Sequence, residues 1–360
     1  MNCYIHVPFC RSKCGYCAFY SETCASQELT DAWLDKTVRD MASISHIQAA
    51  TVYIGGGTPT LLGIGQLEKL FDAVFRSLAP RNDAEITIEC NPETLDDEKV
   101  QLLEKYVTRI SLGVQSFNDT LRCTLGRDCS SKALEKAILL IQKSEIEHFN
   151  CDLIYGIPGQ TLKDWEHDLE TVSESGADHV SCYSLTPEEQ SRLGSTFMID
   201  DDAAVDMYHA AENILKRRGI ERYEISNYAR PGAECRHNIN VWKGGKLTAF
   251  GPSGAGFDGV CRSINCESLS GWLSDEPAER DMLPAEARCR EIFAVNLRTV
   301  KGWQRSEWQN KALSWEEMSK IFTSAMESVP DKFYIIDQQN IRLSQEGLRY
   351  WNDIAERIIL

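Results

Sequence analysis

The chain has 360 residues, 42% of them hydrophobic, which is enough for one large α/β domain and a smaller second unit with a sizeable buried core. A formal charge of -16 and an isoelectric point near 5.0 give a surface that repels phosphate backbones and anionic lipid. Nucleic-acid binding and membrane-surface binding are the classes this composition argues against.

In chain order, "MNCYIHVPFC" comes first. It lacks a basic segment and its apolar stretch breaks at His6 and Pro8, so it does not read as a signal peptide. No apolar run reaches the ~18 residues of a transmembrane helix. Fourteen cysteines without a secretory signal predict a reducing, cytoplasmic setting in which thiols serve as ligands or core filler. Cys90, Cys151, Cys182 and Cys266 sit in apolar or strand-like surroundings and read as spectators.

"CYIHV", "TVYIG", "EITIEC", "RISLGV", "FNCDLIYG" and "HVSCYSL" read as buried strands, rich in β-branched and aromatic residues. Between and after them, amphipathic spacing predicts helices at 28–45, 64–79, 96–106, 130–144, 161–175 and 202–218. Thr161 and Asp164 form a capping-box signal at the start of the fifth. Six such alternations predict a parallel sheet curled into a partial or full barrel, with chemistry gathered at the carboxyl ends of the strands. After residue 275 the pattern turns mostly helical. The division expected is therefore a barrel over 1–220, a connecting segment over 221–274 and a C-terminal helical domain over 275–360.

"HVPFCRSKCGYCAFYS" sets Cys10, Cys14 and Cys17 in a CxxxCxxC pattern. Four cysteines would close a zinc site or complete a cubane; three leave one coordination position open. The pattern differs from the CxxCxxC run of bacterial ferredoxins and matches the radical S-adenosylmethionine (SAM) signature. In that signature the open iron of a 4Fe-4S cluster chelates the amino and carboxylate groups of SAM. A zinc loop completed by a distant His or Cys, or chance in a cysteine-rich chain, is the alternative.

"YIGGGTPTLL" places three glycines directly after a strand, where backbone can approach a ligand closely. It lacks the Gly-Lys-Ser/Thr ending of a P-loop, and a plain tight turn is the bland reading. Beside CxxxCxxC it looks like the segment that holds the amino group of SAM. Glu89, Gln115, Arg127 and Asp152 fall at later strand ends and are expected to face the same mouth. Carboxylates suit ribose hydroxyls and arginine suits a carboxylate.

Taken together, "YIHVPFC", "GGGTPT", "SLGVQSFND", "DLIYGIPGQT", "YEISNYARPG", "RHNINVW" and "FGPSGAGF" resemble, in order, the HemW family of radical SAM proteins. These are heme chaperones related to oxygen-independent coproporphyrinogen III oxidase (HemN). The resemblance runs from Tyr4 to the C-terminal "LSQEGL". It implies a partial (βα)6 barrel with a winged-helix-like C-terminal domain and Cys10, Cys14 and Cys17 as cluster ligands. By the same resemblance, SAM contacts fall on Tyr4, Tyr16, Gly56, Gly57, Thr58, Glu89, Gln115, Arg127, Asp152 and Ser184. Phe19 stands where the oxidase resembles CxxxCxxCxC, so the sequence looks like HemW and not the oxidase.

The family's heme segment is an HNxxYW-type motif; here it reads "HNINVW". His237 is thereby the candidate heme ligand, with a satisfied loop histidine as the plainer reading. Trp242 could stack on a porphyrin or pack in the core. Three departures weaken heme handling: Val241 replaces the family Tyr, Cys129 a His, and Ala255 lies where a His-bearing segment is usual. The partners implied are heme, a heme-acceptor protein and an electron donor. A heme carrier is thus expected, the alternatives being a radical SAM enzyme that dehydrogenates or methylates a tetrapyrrole and a SAM-binding relic without turnover.

Overall fold

The computed structural model describes residues 1–23, 25–44, 47–127, 129–186, 193 and 201–360; Ser45 of the first expected helix and Asp128 of "LGRD" lie outside them. Six strands, β1 (Asn2–Val7), β2 (Thr51–Gly56), β3 (Glu85–Cys90), β4 (Arg109–Gln115), β5 (His148–Tyr155) and β6 (His179–Ser184), pair in that order, all parallel. Strand β1 does not close onto β6. Its free edge takes Leu247–Phe250 in parallel, followed by Ala255–Phe257, Arg262–Ile264 and Glu279–Asp281, while Asn227–Ala229 and Glu221–Arg222 extend the sheet beyond β6. Among the described residues the result is one open sheet of twelve strands, a partial barrel.

Helices α1 (Gln27–Ala42), α2 (Ile64–Ala73), α3 (Asp97–Leu103), α4 (Asp119–Thr124), α5 (Ser131–Gln142), α6 (Leu162–Glu174) and α7 (Asp201–Arg217) occupy the crossovers and the stretch after β6. The box that opens α6 is present: Thr161 N–H donates to Asp164 at 2.9 Å, and Asp164 N–H donates to the Thr161 hydroxyl at 3.2 Å.

The strands are not alike on their two faces. Cys3, Ile5, Val52, Ile54, Ile86, Ile88, Ile110, Leu112, Cys151, Leu153 and Val180 point outward into one core under the helices. The alternate residues line the lumen and are polar: Asn2 lies opposite Thr51, Tyr4 opposite Tyr53, Ser111 opposite Asn150, and Asp152 opposite Ser181. Period-two alternation sends each set to its own side.

Below the amino ends of β1, β2 and β3 runs a short helix, α8 (Arg236–Trp242). Glu85, at the start of β3, accepts from the backbone N–H groups of Arg236 at 2.9 Å and His237 at 2.8 Å, satisfying the first turn of this helix. The C-terminal unit has a second core, built on helices Ala285–Asn296, Trp315–Ala325 and Trp351–Ile359. A three-stranded antiparallel sheet of Trp303–Gln304, Asn340–Leu343 and Tyr334–Ile336 packs with them, giving the winged-helix-like form. No described helix is long and apolar enough to cross a membrane.

Candidate functional site at the carboxyl ends of the strands

The loop after β1 carries the three cysteines, all partly exposed. Its lead-in, Phe9–Cys10, pairs with Glu22–Thr23, so the loop leaves and returns at one place. Gly15 N–H donates to Leu125 O at 2.8 Å, which pins the far side of the loop next to Arg127. Tyr16 packs against an apolar cluster of Leu121, Leu125, Ile154, Ile157 and Leu185. Burial raises the Cys17 thiol, and the neighbouring Cys14 and Cys10 add to the effect, so the three sulfurs share one electrostatic neighbourhood.

The glycine segment lies against this lead-in. Gly57 N–H donates to Val7 O at 2.8 Å and Thr58 N–H to Phe9 O at 2.7 Å, while the Thr58 hydroxyl reaches Cys10 Sγ at 3.7 Å. Gly56 has φ +105, and a Cβ there would sit 2.5 Å from the His6 ring; at Gly57 it would sit 2.6 Å from Phe9 O. Only glycine permits this backbone so close to the cysteine loop.

Beneath the glycines lies Glu89. Its carboxylate accepts from Tyr53 Oη at 2.8 Å and from Gly56 N–H at 3.0 Å. Burial, and more weakly Asp152, push the carboxyl up to about 7. Asp152 is likewise raised by burial, and is held down in part by Ser181, Asn150, Ser111 and Arg127. Arg127 donates from Nη2 to Gly113 O at 2.8 Å, turns Nη1 toward Cys14 Sγ at 4.0 Å, and leaves its Nε buried without a partner. A buried guanidinium N–H beside the cysteine loop fits an anionic ligand group.

Gln115 ends β4 in the left-handed region, φ +68, just after a bulge. The turn is clamped from outside: Asp168 on α6 accepts from the Ser116 hydroxyl and from Phe117 N–H, both at 2.7 Å. Arg122 on α4 donates to Ser116 O and, at 2.9 Å, to Cys129 O, tying this turn to the loop that bears Arg127. A backbone strained at a functional position needs such over-determination. Ser184 ends β6 and is exposed. Tyr4 donates to or accepts from His6 Nδ1 at 3.1 Å, and its buried hydroxyl is raised by desolvation and by Glu89.

The mouth thus gathers the cysteine loop, Gly56, Gly57, Thr58, Glu89, Arg127 and Asp152, with Gln115 and Ser184 on its rim. It does not gather His237. That residue lies on α8 at the opposite end, 5% exposed, with its ring centroid 5.1 Å from that of Tyr53. Thr51 donates its hydroxyl proton to Asn2 Oδ1 at 3.0 Å, so its oxygen accepts from His237 Nδ1–H at 2.9 Å. Burial holds the imidazole down to about 4, so it is neutral with its lone pair on Nε2. Trp242 is half-buried at the other end of α8, with the Arg298 guanidinium 4.7 Å above its ring. Phe19 is 67% exposed. Cys129 is buried and Ala255 exposed on an added strand.

Tyr53, Ser111, Asn150 and Ser181, which hold the two carboxylates, were not singled out by motif reading. The signal was present in the alternation: Thr51 and Tyr53, Glu85, Thr87 and Glu89, and Asn150 and Asp152 recur at every second position of strands read as buried.

Three thiols on one loop, an orphaned guanidinium N–H and a glycine backbone too close for side chains fit a 4Fe-4S cluster with SAM beside it. No three His, Cys, Asp or Glu side chains among the described residues converge on one metal-ion position. A cubane does not ask for that, since each thiolate takes a different iron. Residues 4–172 match the Radical SAM superfamily model, and the architecture agrees with it: this is a radical SAM protein, a class that carries a 4Fe-4S cluster and SAM.

Among solved structures, the chain is similar to the radical SAM enzyme coproporphyrinogen III oxidase (HemN) of Escherichia coli. The TM-score is 0.84 at 19% identity, over 99% of this chain and 89% of that one, a likeness of fold. Among sequences, it is 31% identical to the heme chaperone HemW of Lactococcus lactis over 100% of this chain and 97% of the relative. It is 39% identical to that of Synechocystis over 99% and 95%, and 36% identical to that of Escherichia coli over 70% and 68%. The chain belongs to the HemW family.

Proposed function

We propose that the protein is a heme chaperone: it binds heme, passes it to an acceptor protein, and uses the cluster and SAM to control release. The observation that carries this reading is similarity along the whole chain to proteins named heme chaperones. Phe19, where the oxidase type has a further cysteine, supports the carrier over oxidase-like dehydrogenation or methylation of a tetrapyrrole. Cys10, Cys14 and Cys17 hold the cluster. Gly56, Gly57 and Thr58 offer backbone to the amino group of SAM, Arg127 offers its guanidinium to the carboxylate, and Glu89 and Asp152 accept from ribose hydroxyls. Tyr4, Tyr16, Gln115 and Ser184 complete the SAM site. The cluster supplies the electron and the open iron; an electron-donor protein reduces it.

His237 is the proposed heme ligand, and its geometry sets a condition. Nε2 has the lone pair that iron needs, with Nδ1 oriented by Thr51 as in other histidine-metal sites. His237 is only 5% exposed, so ligation of a heme iron requires α8 to shift. The test is anaerobic reconstitution with iron and sulfide, then heme titration read at the Soret band for wild type and His237→Ala, with and without SAM. A near-stoichiometric Soret shift that weakens about tenfold or more in the variant is expected, since iron loses its axial ligand. Equal affinity would remove His237 from this role, and absence of heme binding would remove the chaperone reading.

A further inference from the structure

The lumen between the mouth and α8 is not filled with apolar side chains. Two chains of contacts run down it. In the first, Gly56 N–H and the Tyr53 hydroxyl both donate to Glu89, and the Tyr53 ring lies against that of His237, 5.1 Å between centroids. In the second, Asp152 accepts from Asn150 Nδ2 at 2.9 Å, and His179 Nδ1 meets Asn150 Oδ1 at 2.6 Å. Tyr223 Oη then meets His179 Nε2 at 2.8 Å and accepts from Cys235 N–H, the N-cap of α8, at 3.3 Å.

The second chain has defined polarity. Asn150 Oδ1 can only accept, so His179 Nδ1 carries the proton; His179 Nε2 then accepts from Tyr223, whose oxygen is left free for Cys235 N–H. Burial holds the His179 imidazole well below its ordinary value, in keeping with a neutral ring. Each carboxylate at the mouth therefore ends a chain of buried and half-buried contacts whose other end is α8.

We propose that these two columns couple the SAM pocket to the docking of α8, with Tyr53 and His179 as positioning residues for Glu89 and Asp152. The proposal rests on reading the mouth as the SAM site, and deepens it by giving that site a route to the histidine-bearing helix. A ligand hydroxyl that bonds Glu89 or Asp152 draws charge from the same carboxylate that Tyr53 or Asn150 donates to, and so weakens or shifts that bond. Asn150 is buried and Tyr53 half-buried, so a weakened bond leaves a polar group with little water to turn to, which is costly. The adjustment passes to the His237 ring and to the Cys235 N–H. Coupling is reciprocal: whatever SAM does to the docking of α8, undocking of α8 does to SAM affinity.

The experiment uses the full chain with its cluster reconstituted anaerobically, and needs no heme. Amide hydrogen exchange across residues 235–242 is measured by mass spectrometry with and without saturating SAM, in wild type, Tyr53→Phe and Tyr223→Phe, and SAM affinity is measured in parallel. In wild type SAM changes exchange of α8 by about fivefold or more, the scale of ordinary allosteric coupling. In each Phe variant, which keeps the ring and loses one hydroxyl, that response shrinks while SAM still binds.

Unchanged α8 exchange in wild type with SAM bound would overturn the proposal and leave the SAM site standing. A wild-type response preserved in both variants would also overturn it, as would equal slowing in the distant helix Trp315–Ala325, which would mean global stabilisation. Failure of SAM to bind at all would remove the SAM reading and the coupling together. None of these outcomes depends on heme, so they are separable from the chaperone assignment.

Discussion

Burial and the Asp152 charge raise the Glu89 carboxyl from an ordinary value of 4.5 to about 7. The unfolded chain releases this proton near 4.5 and the folded chain keeps it to about 7. Between those values the folded state binds the extra proton, so the stability this group confers is full at the acid end and is lost as pH rises through the window. His237 acts in the opposite sense, because burial holds it at about 4, below the ordinary value of 6.5; its contribution is lost as pH falls through that interval. Urea unfolding of wild type and Glu89→Gln at pH 5 and pH 7.5 isolates the first effect. The wild type should lose roughly 2–3 kcal/mol more than the variant over that range; parallel profiles would mean that Glu89 ionises as an exposed carboxyl does. At the same scale, Ala at Cys10, Cys14 or Cys17 should abolish the reconstituted cluster, measured as bound iron and sulfide, while Cys266→Ala retains it. A full cluster in any of the first three would remove that thiol from the ligand set.

Elements hold the pocket from outside as much as residues do from within. Helix α6 contributes Asp168, wholly buried, to two bonds on the turn after β4, and α4 contributes Arg122 to the same turn. Asp168→Ala leaves Phe117 N–H without its acceptor and frees Gln115 from its left-handed conformation, which a glutamine side chain disfavours. SAM affinity should fall about tenfold, by an effect of 1–2 kcal/mol, with cluster content unchanged. Calorimetric titration of cluster-loaded protein measures it, and unaltered affinity would show that the turn holds itself. The helix and strand limits were legible for the same reason that such clamps were not. Expected helices at 130–144 and 161–175 correspond to Ser131–Gln142 and Leu162–Glu174, because periodicity and caps are local. A bond from α6 to the end of β4 spans 52 residues in sequence and leaves no local mark.

Across the whole molecule, the connecting segment returns beneath the barrel and the C-terminal unit seats on it. Arg298 donates to the fully buried Glu224 at 2.8 Å and lies over Trp242 of α8 at 4.7 Å and Trp351 of the last helix at 5.3 Å. Glu224 also accepts from Ser226 N–H and Asn227 Nδ2. Arg298→Ala should leave that carboxylate without its counter-charge and cost about 3 kcal/mol, the low end of the scale for breaking a buried pair from one side. It should also separate melting of the C-terminal unit from that of the barrel. A single unshifted transition in differential scanning calorimetry would contradict both.

The sequence by itself determined the alternating strands and helices, the three-thiol loop with its missing fourth ligand, the glycine segment and the family. All of these depend on neighbours within a few positions or on motifs in fixed order. Strand-end placement already predicts Glu89, Arg127 and Asp152 at one mouth; tertiary structure alone decided that Tyr53 and Asn150 donate to the two carboxylates and that His179 backs Asn150. It alone decided that His237 sits at the end of the barrel opposite the cysteines. The physical reason is that a strand's direction is fixed by its pairing and not by its residues. Leu247–Phe250 joins the free edge of β1 across more than half the chain, and that one long-range pairing carries α8 under the floor instead of over the mouth.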